Sequence, residues 1–170
     1  MPEAPLAFDL PDSGATEALG VALARSFPGA DVGAIVHLRG ELGSGKTTCA
    51  RALLHALGVT APVRSPTYTL VDTYSAVALI CVHVDLYRVQ TTTEVEELGL
   101  RDMTGSGYLM LIEWPEKGGI AVPRADLLLQ LTYKGDARSA ALGAVTPTGR
   151  AWLAKLAIDT SLAPYVSNLT

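Results

Sequence analysis

Eight residues, Gly40-Glu41-Leu42-Gly43-Ser44-Gly45-Lys46-Thr47, have the types and the spacing needed to grip a chain of phosphates. They fit the phosphate-loop pattern G-x-x-x-x-G-K-[ST]. The glycines let consecutive backbone N–H groups converge on one anion with no Cβ in the way. A lysine placed as Lys46 is reaches the β- and γ-phosphates, and a hydroxyl placed as that of Thr47 faces Mg²⁺. The loop is expected to open a helix, whose N-terminal dipole also favours negative charge.

A nucleotide–Mg²⁺ site commonly takes a further acid from the end of an apolar strand, and two positions qualify. Tyr108 to Ile112 runs into Glu113, and Leu79 to Val84 runs into Asp85. Either carboxylate could hold the cation, directly or through water, or orient an attacking water. Spacing leaves the division of roles between them open. Ser65-Pro66-Thr67-Tyr68 carries hydroxyls that could act as a switch beside a terminal phosphate, although such a stretch is more often a plain turn. His83 has the chemistry to accept a proton, yet a lone strand histidine usually serves structure. Trp114-Pro115 reads as packing and turn unless the indole covers the site. Tyr133-Lys134-Gly135-Asp136 shares a lysine and an aspartate with the guanine-reading Asn-Lys-x-Asp. Tyrosine replaces the asparagine, and a strand rather than a helix is predicted to follow, so adenine is favoured over guanine.

These residues need elements to present them. Val32 to Leu38 is an apolar, β-branched run that reads as a buried central strand. Thr48 to Leu57 holds no Gly or Pro and reads as a helix stopped by Gly58. Met1 to Pro11 is expected to be extended, and Asp12 or Ser13 to cap a helix over residues 15–27 that Pro28-Gly29 ends. Tyr68 to Tyr74 and Val77 to Val84 read as two strands, antiparallel because their link is too short for a crossover. Thr93-Glu94-Val95-Glu96 has the capping-box form and predicts a short helix ending near Gly99. Tyr108 to Trp114 is another strand. Leu127 to Tyr133 and Ala140 to Val145 make a second hairpin turned at Gly135-Asp136, and Gly149 to Ile158 a last helix.

The fold class that results is α/β: a small P-loop NTPase with a mixed, mostly parallel central sheet, flanking helices and antiparallel hairpins. The site is expected outside the C-terminal end of the first core strand. Residues 1–170 are read as one domain, with a core over about 13–146 and a C-terminal helix and tail over about 147–170.

Composition agrees with a globular protein: 170 residues, 49% hydrophobic and 18% charged. Cys49 and Cys81 cannot build a disulfide framework and read as buried thiols. No secretory signal is visible, and no apolar run approaches a membrane span, so a cytoplasmic protein with no membrane partner is expected. The net charge is −4 and no Lys or Arg run stands out, which argues against tight autonomous binding of nucleic acid.

Taken together, the Gly40–Thr48 loop, Ser65-Pro66-Thr67-Tyr68-Thr69-Leu70-Val71, His83-Val84-Asp85-Leu86-Tyr87-Arg88, Glu97-Leu98-Gly99 and Ile112-Glu113-Trp114-Pro115-Glu116 resemble one family closely. It is the bacterial TsaE (YjeE) family, the ATPase component of tRNA threonylcarbamoyladenosine biosynthesis. The resemblance runs from about Ser13 to about Arg138. It implies a nucleotide site made by Glu41, Leu42, Gly43, Ser44, Gly45, Lys46, Thr47 and Thr48, with Thr16 and Arg138 beside the nucleotide and Trp114 in the wall. Thr47 and Glu113 would be the Mg²⁺ positions. Lys46 and Asp85 would be catalytic, as would Thr67 in the switch-like Ser65–Tyr68 segment. The implied partners are TsaB and TsaD, with tRNA met through that assembly; ATP and Mg²⁺ are the implied ligands. Cys49 stands where a bulkier apolar residue is common, and the tail after about Thr146 matches no motif. Alternatives of other classes are a small-molecule kinase, which usually needs an arginine-bearing lid that the scattered arginines here do not suggest, and a nucleotide-dependent switch that does not hydrolyse.

Overall fold

In the computed structural model, which describes residues 4–168, the stretch expected to be extended contains a strand, β1 (Leu6–Leu10), and the first three residues of that stretch lie outside the described ones. Asp12 then caps α1 (Ser13–Ser26), its carboxylate accepting from the Ala15 N–H at 2.8 Å. The run before the glycine loop forms β2 (Ala34–Arg39), and the loop opens α2 (Lys46–Ala56). Gly58, at φ 105, takes the left-handed turn that stops it.

β3 (Val71–Ala76) and β4 (Leu79–Asp85) pair antiparallel as expected, but β3 begins later than Tyr68. Tyr68 and Thr69 lie in a turn closed by the Leu70 N–H donating to the Pro66 carbonyl at 2.7 Å, with Leu70 itself at φ 66. The proline fixed that turn chemistry, and it outweighed the β propensity of the run.

The short helix α3 (Thr92–Glu97) carries a capping box in a different register from the one expected. Thr91 and Glu94 close it, not Thr93 and Glu96. Thr91-x-x-Glu94 and Thr93-x-x-Glu96 both satisfy the pattern, and the frame that forms is the one in which Val95 is buried in the core.

β5 (Tyr108–Glu113) follows, then β6 (Leu127–Lys134) and β7 (Ala137–Ala144), turned at Gly135-Asp136 as expected, and α4 (Pro147–Ala157).

Among the described residues seven strands form one sheet in the order β1-β7-β6-β2-β5-β4-β3. The central four, β6, β2, β5 and β4, are parallel to their neighbours within that group; β1, β7 and β3 add antiparallel edges. Both faces are buried, as a parallel core requires. Val36, Leu38, Cys81, Leu109 and Leu111 pack under α1, α2 and α4. Val82, Val84, Met110 and Ile112, one residue out of phase, pack on the other side with Val95 of α3. Each such fully buried aliphatic side chain contributes about 1.5–3 kcal/mol.

Cys49 and Cys81 are both buried and free, and burial pushes their thiols up to about 12 and about 11. They are packing residues, as expected. Among the described residues no helix is long and apolar enough to cross a membrane.

Candidate functional site

The strand alternation that builds the core also delivers the chemistry. On the α2 side of the sheet, β4 reads Cys81, His83, Asp85 and β5 reads Leu109, Leu111, Glu113. Registers pair Cys81 with Leu109, His83 with Leu111 and Asp85 with Glu113. Apolar residues thus give way to ionisable ones at the C-terminal ends of two adjacent parallel strands. The glycine loop leaves the end of β2 next to them, since Leu38 pairs with Glu113.

Gly40, Gly43 and Gly45 take φ values of 145, 77 and 104, which let the loop wrap tightly. A Cβ on Gly40 would collide with the Leu131 carbonyl, and one on Gly43 would stand 2.7 Å from the Tyr133 hydroxyl. Gly45 starts α2 with no side-chain cap, so the first-turn N–H groups receive no side-chain acceptor. Lys46 folds back over the loop, donating to the carbonyls of Gly40 at 2.6 Å and Glu41 at 2.9 Å, while its Nζ lies 4.4 Å from the Trp114 ring centre. Burial pushes the Lys46 ammonium below its ordinary value, against the pull of Glu113, Asp85 and Glu116.

Thr47 donates to Glu113, with Oγ1 at 2.9 Å from Oε1 and 3.2 Å from Oε2. His83 Nε2 meets Glu113 Oε2 at 2.7 Å, and both residues are buried. Asp85 has different neighbours. The Ser65 hydroxyl donates to its Oδ2, Thr67 Oγ1 lies 3.5 Å from the same oxygen, and Oδ1 accepts the Tyr87 N–H at 2.9 Å. The two acids, which spacing alone left interchangeable, have different neighbours: Glu113 joins the helix-opening threonine, and Asp85 joins the Ser65–Thr67 segment.

Leu42, Gly43, Gly45, Lys46, Thr47, Thr48, Thr67, Asp85, Glu113 and Trp114 line one cleft of about 420 Å³. Trp114 sits there at φ 57, its ring 5.1 Å from that of Tyr87. Thr16, Ser44 and Arg138 line an adjoining pocket of about 150 Å³, which shares Gly43, Gly45 and Thr48 with the cleft. Arg138 donates to the Gly43 carbonyl at 3.2 Å and stacks 4.0 Å over the Tyr133 ring. Glu41 stands apart: its side chain is exposed and lines neither space, and its backbone carbonyl accepts from Lys46 and from the Ser44 N–H.

Other residues join the site in ways the sequence reading did not assign. Tyr87 and Arg88, placed above only within the His83–Arg88 family motif, line the cleft. Tyr133, compared above with a base-reading motif, instead donates its hydroxyl to the Leu42 carbonyl at 2.7 Å and braces the loop. His83, read as structural, is buried against Glu113; the period-two spacing His83-x-Asp85 was the available signal.

The residues suit a bound phosphate and divalent cation. The Ser44 hydroxyl is buried with no partner inside the loop. Among the described residues no group of three His, Cys, Asp or Glu side chains could hold a metal unaided. One hydroxyl and one carboxylate match Mg²⁺, which takes few protein oxygens and completes its shell from phosphates and water.

Residues 10–140 match the family model described as "Threonylcarbamoyl adenosine biosynthesis protein TsaE". The tRNA threonylcarbamoyladenosine biosynthesis protein TsaE of Haemophilus influenzae is 43% identical over 116 residues, covering 68% of this chain and 73% of its own. That of Synechocystis is 38% identical over 121 residues, 69% of this chain and 74% of its own. The crystal structure of Bacillus subtilis YdiB superposes with a TM-score of 0.75 at 25% identity, covering 92% of this chain and 96% of that one.

Proposed function

This chain belongs to the TsaE family, and from that premise we propose that it hydrolyses ATP with Mg²⁺ in support of a TsaB- and TsaD-type assembly that makes threonylcarbamoyladenosine in tRNA. The observation that carries the reading is the meeting of Thr47 with Glu113 at 2.9 Å beside Lys46 and within one cleft with Asp85.

In this reading the loop amides and Lys46 hold the β- and γ-phosphates and stabilise the charge that spreads as the γ-phosphoryl group transfers. Lys46 must first leave the Gly40 and Glu41 carbonyls, an exchange of neutral acceptors for anionic ones. Thr47 and Glu113 would hold Mg²⁺, whose charge would offset that on the phosphate oxygens. Asp85 accepts a hydrogen bond from the attacking water and aims it at the γ-phosphorus; the bond to the β-phosphate oxygen breaks and ADP leaves. Ser65 and Thr67 hold Asp85 until the nucleotide arrives. The smaller pocket by Thr16 and Arg138 takes the nucleoside end. The acidic balance suits a subunit whose partners hold the tRNA.

Phosphate release and modified adenosine, followed together in a mixture with TsaB, TsaD and tRNA, test the proposal. Release should require Mg²⁺, should rise when the partners are added, and should fall to background in Lys46→Ala. A phosphorylated metabolite formed without free phosphate would turn the assignment toward a kinase. Release no greater in the wild type than in Lys46→Ala would turn it toward a non-hydrolysing switch.

A further inference from the structure

His83 is fully buried on β4, and its ring makes one hydrogen bond, from Nε2 to Glu113 Oε2 at 2.7 Å. Its Nδ1 is buried and has no partner among the described residues. A proton on Nδ1 would be a buried donor with nothing to accept it, so the proton sits on Nε2 and the ring donates to the carboxylate. The register makes this contact a diagonal one across the β4–β5 ladder, because Glu113 stands opposite Asp85 and His83 lies two residues earlier on the same face. Glu113 is thereby held from two sides, by the His83 N–H and by the Thr47 hydroxyl. Without the ring, a flexible glutamate side chain would have one tether instead of two.

We infer that His83 is a positioning residue: by donating from Nε2 to Glu113 it fixes the carboxylate in the orientation that meets Thr47 and faces the cleft. The inference rests on the reading that Thr47 and Glu113 form the cation site. Groups that hydrogen-bond a metal-binding carboxylate fix its orientation, and losing one typically costs about 10- to 100-fold in metal affinity.

The test is an Mg²⁺ titration of the binding of a fluorescent ADP analogue to the full chain, comparing the wild type with His83→Leu, His83→Gln and Glu113→Gln. His83→Leu should bind the analogue normally without metal but need about 10- to 100-fold more Mg²⁺ for its half-maximal effect. His83→Gln, whose amide can donate from near the Nε2 position, should recover most of that loss. In the metal-free and nucleotide-free wild type, ¹⁵N-resolved NMR should find the His83 proton on Nε2 and slow to exchange.

A wild-type Mg²⁺ requirement in His83→Leu, with a raised one in Glu113→Gln, overturns the positioning role and leaves the cation site standing. A wild-type requirement in Glu113→Gln overturns the cation site and the inference with it. Should His83→Leu fail to fold, His83→Gln and the spectrum decide the matter, and a proton on Nδ1 or in fast exchange overturns the inference.

Discussion

Lys46 answers two opposed demands at once. In the role proposed for it, it must be charged to hold phosphate, yet it is only 4% exposed and its burial disfavours that charge. The folded pKa lies below the unfolded one, so the unfolded chain binds this proton more tightly. The destabilisation is therefore full below the folded pKa and fades as pH rises from there toward the ordinary lysine value of about 10.4. Lys46→Met, which keeps the stem and drops the charge, should melt above the wild type in neutral, nucleotide-free buffer, and the gap should narrow toward pH 10. Thermal unfolding of both proteins at the two pH values checks this; a gap that is reversed or independent of pH counts against it. At this scale the sequence was most legible where one residue type has one use. Lys46, Thr47 and the loop glycines were read directly from their spacing. Spacing alone found Glu113 and Asp85 without distinguishing them, because two acids at two strand ends look alike until their neighbours are known; only the family resemblance gave them separate roles.

Elements position the site through one close approach. Gly20 of α1 faces α2, and a Cβ there would stand 2.5 Å from the Cys49 carbonyl oxygen and 2.8 Å from the Ala52 Cβ. The small Cys49, noted above as unusual in the family pattern, lies at the same contact and is buried. Because α2 carries Lys46 and Thr47 in its first turn, a shift of that helix moves the site. Gly20→Ala should cost about 1–3 kcal/mol in urea unfolding, as overpacking does, and should weaken nucleotide binding at temperatures where the protein stays folded. Unchanged stability together with unchanged affinity would mean the helices can separate without effect. Element type was legible from apolar periodicity, and the phosphate-loop unit most of all. Boundaries were not: Tyr68 and Thr69 lie in the turn closed on the Pro66 carbonyl and not in β3, and the α3 cap uses Thr91 and Glu94, not Thr93 and Glu96.

Across the whole molecule the C-terminal segment, which matched no motif, closes the core. Trp152 is fully buried in α4, donating from Nε1 to the Leu23 carbonyl at 3.0 Å and meeting the Phe27 ring edge-on at 5.4 Å. Trp152→Ala should lower stability by about 3–5 kcal/mol, seen as a melting point lower by roughly 2–4 °C for each of those kcal/mol. A loss of only a degree or two by calorimetry would show that α4 packs more loosely than its burial implies. The sequence by itself determined the α/β class, the phosphate loop, the two strand-end acids and the family, because each depends on residue types at short, fixed separations. Tertiary structure alone decided that β1 joins β7, that Asp85 meets Ser65, that His83 backs Glu113, and that Tyr133 braces the loop. Those are contacts between residues far apart in the chain, and which of many compatible pairs forms depends on how strands order and helices pack, a cooperative outcome that no local spacing encodes.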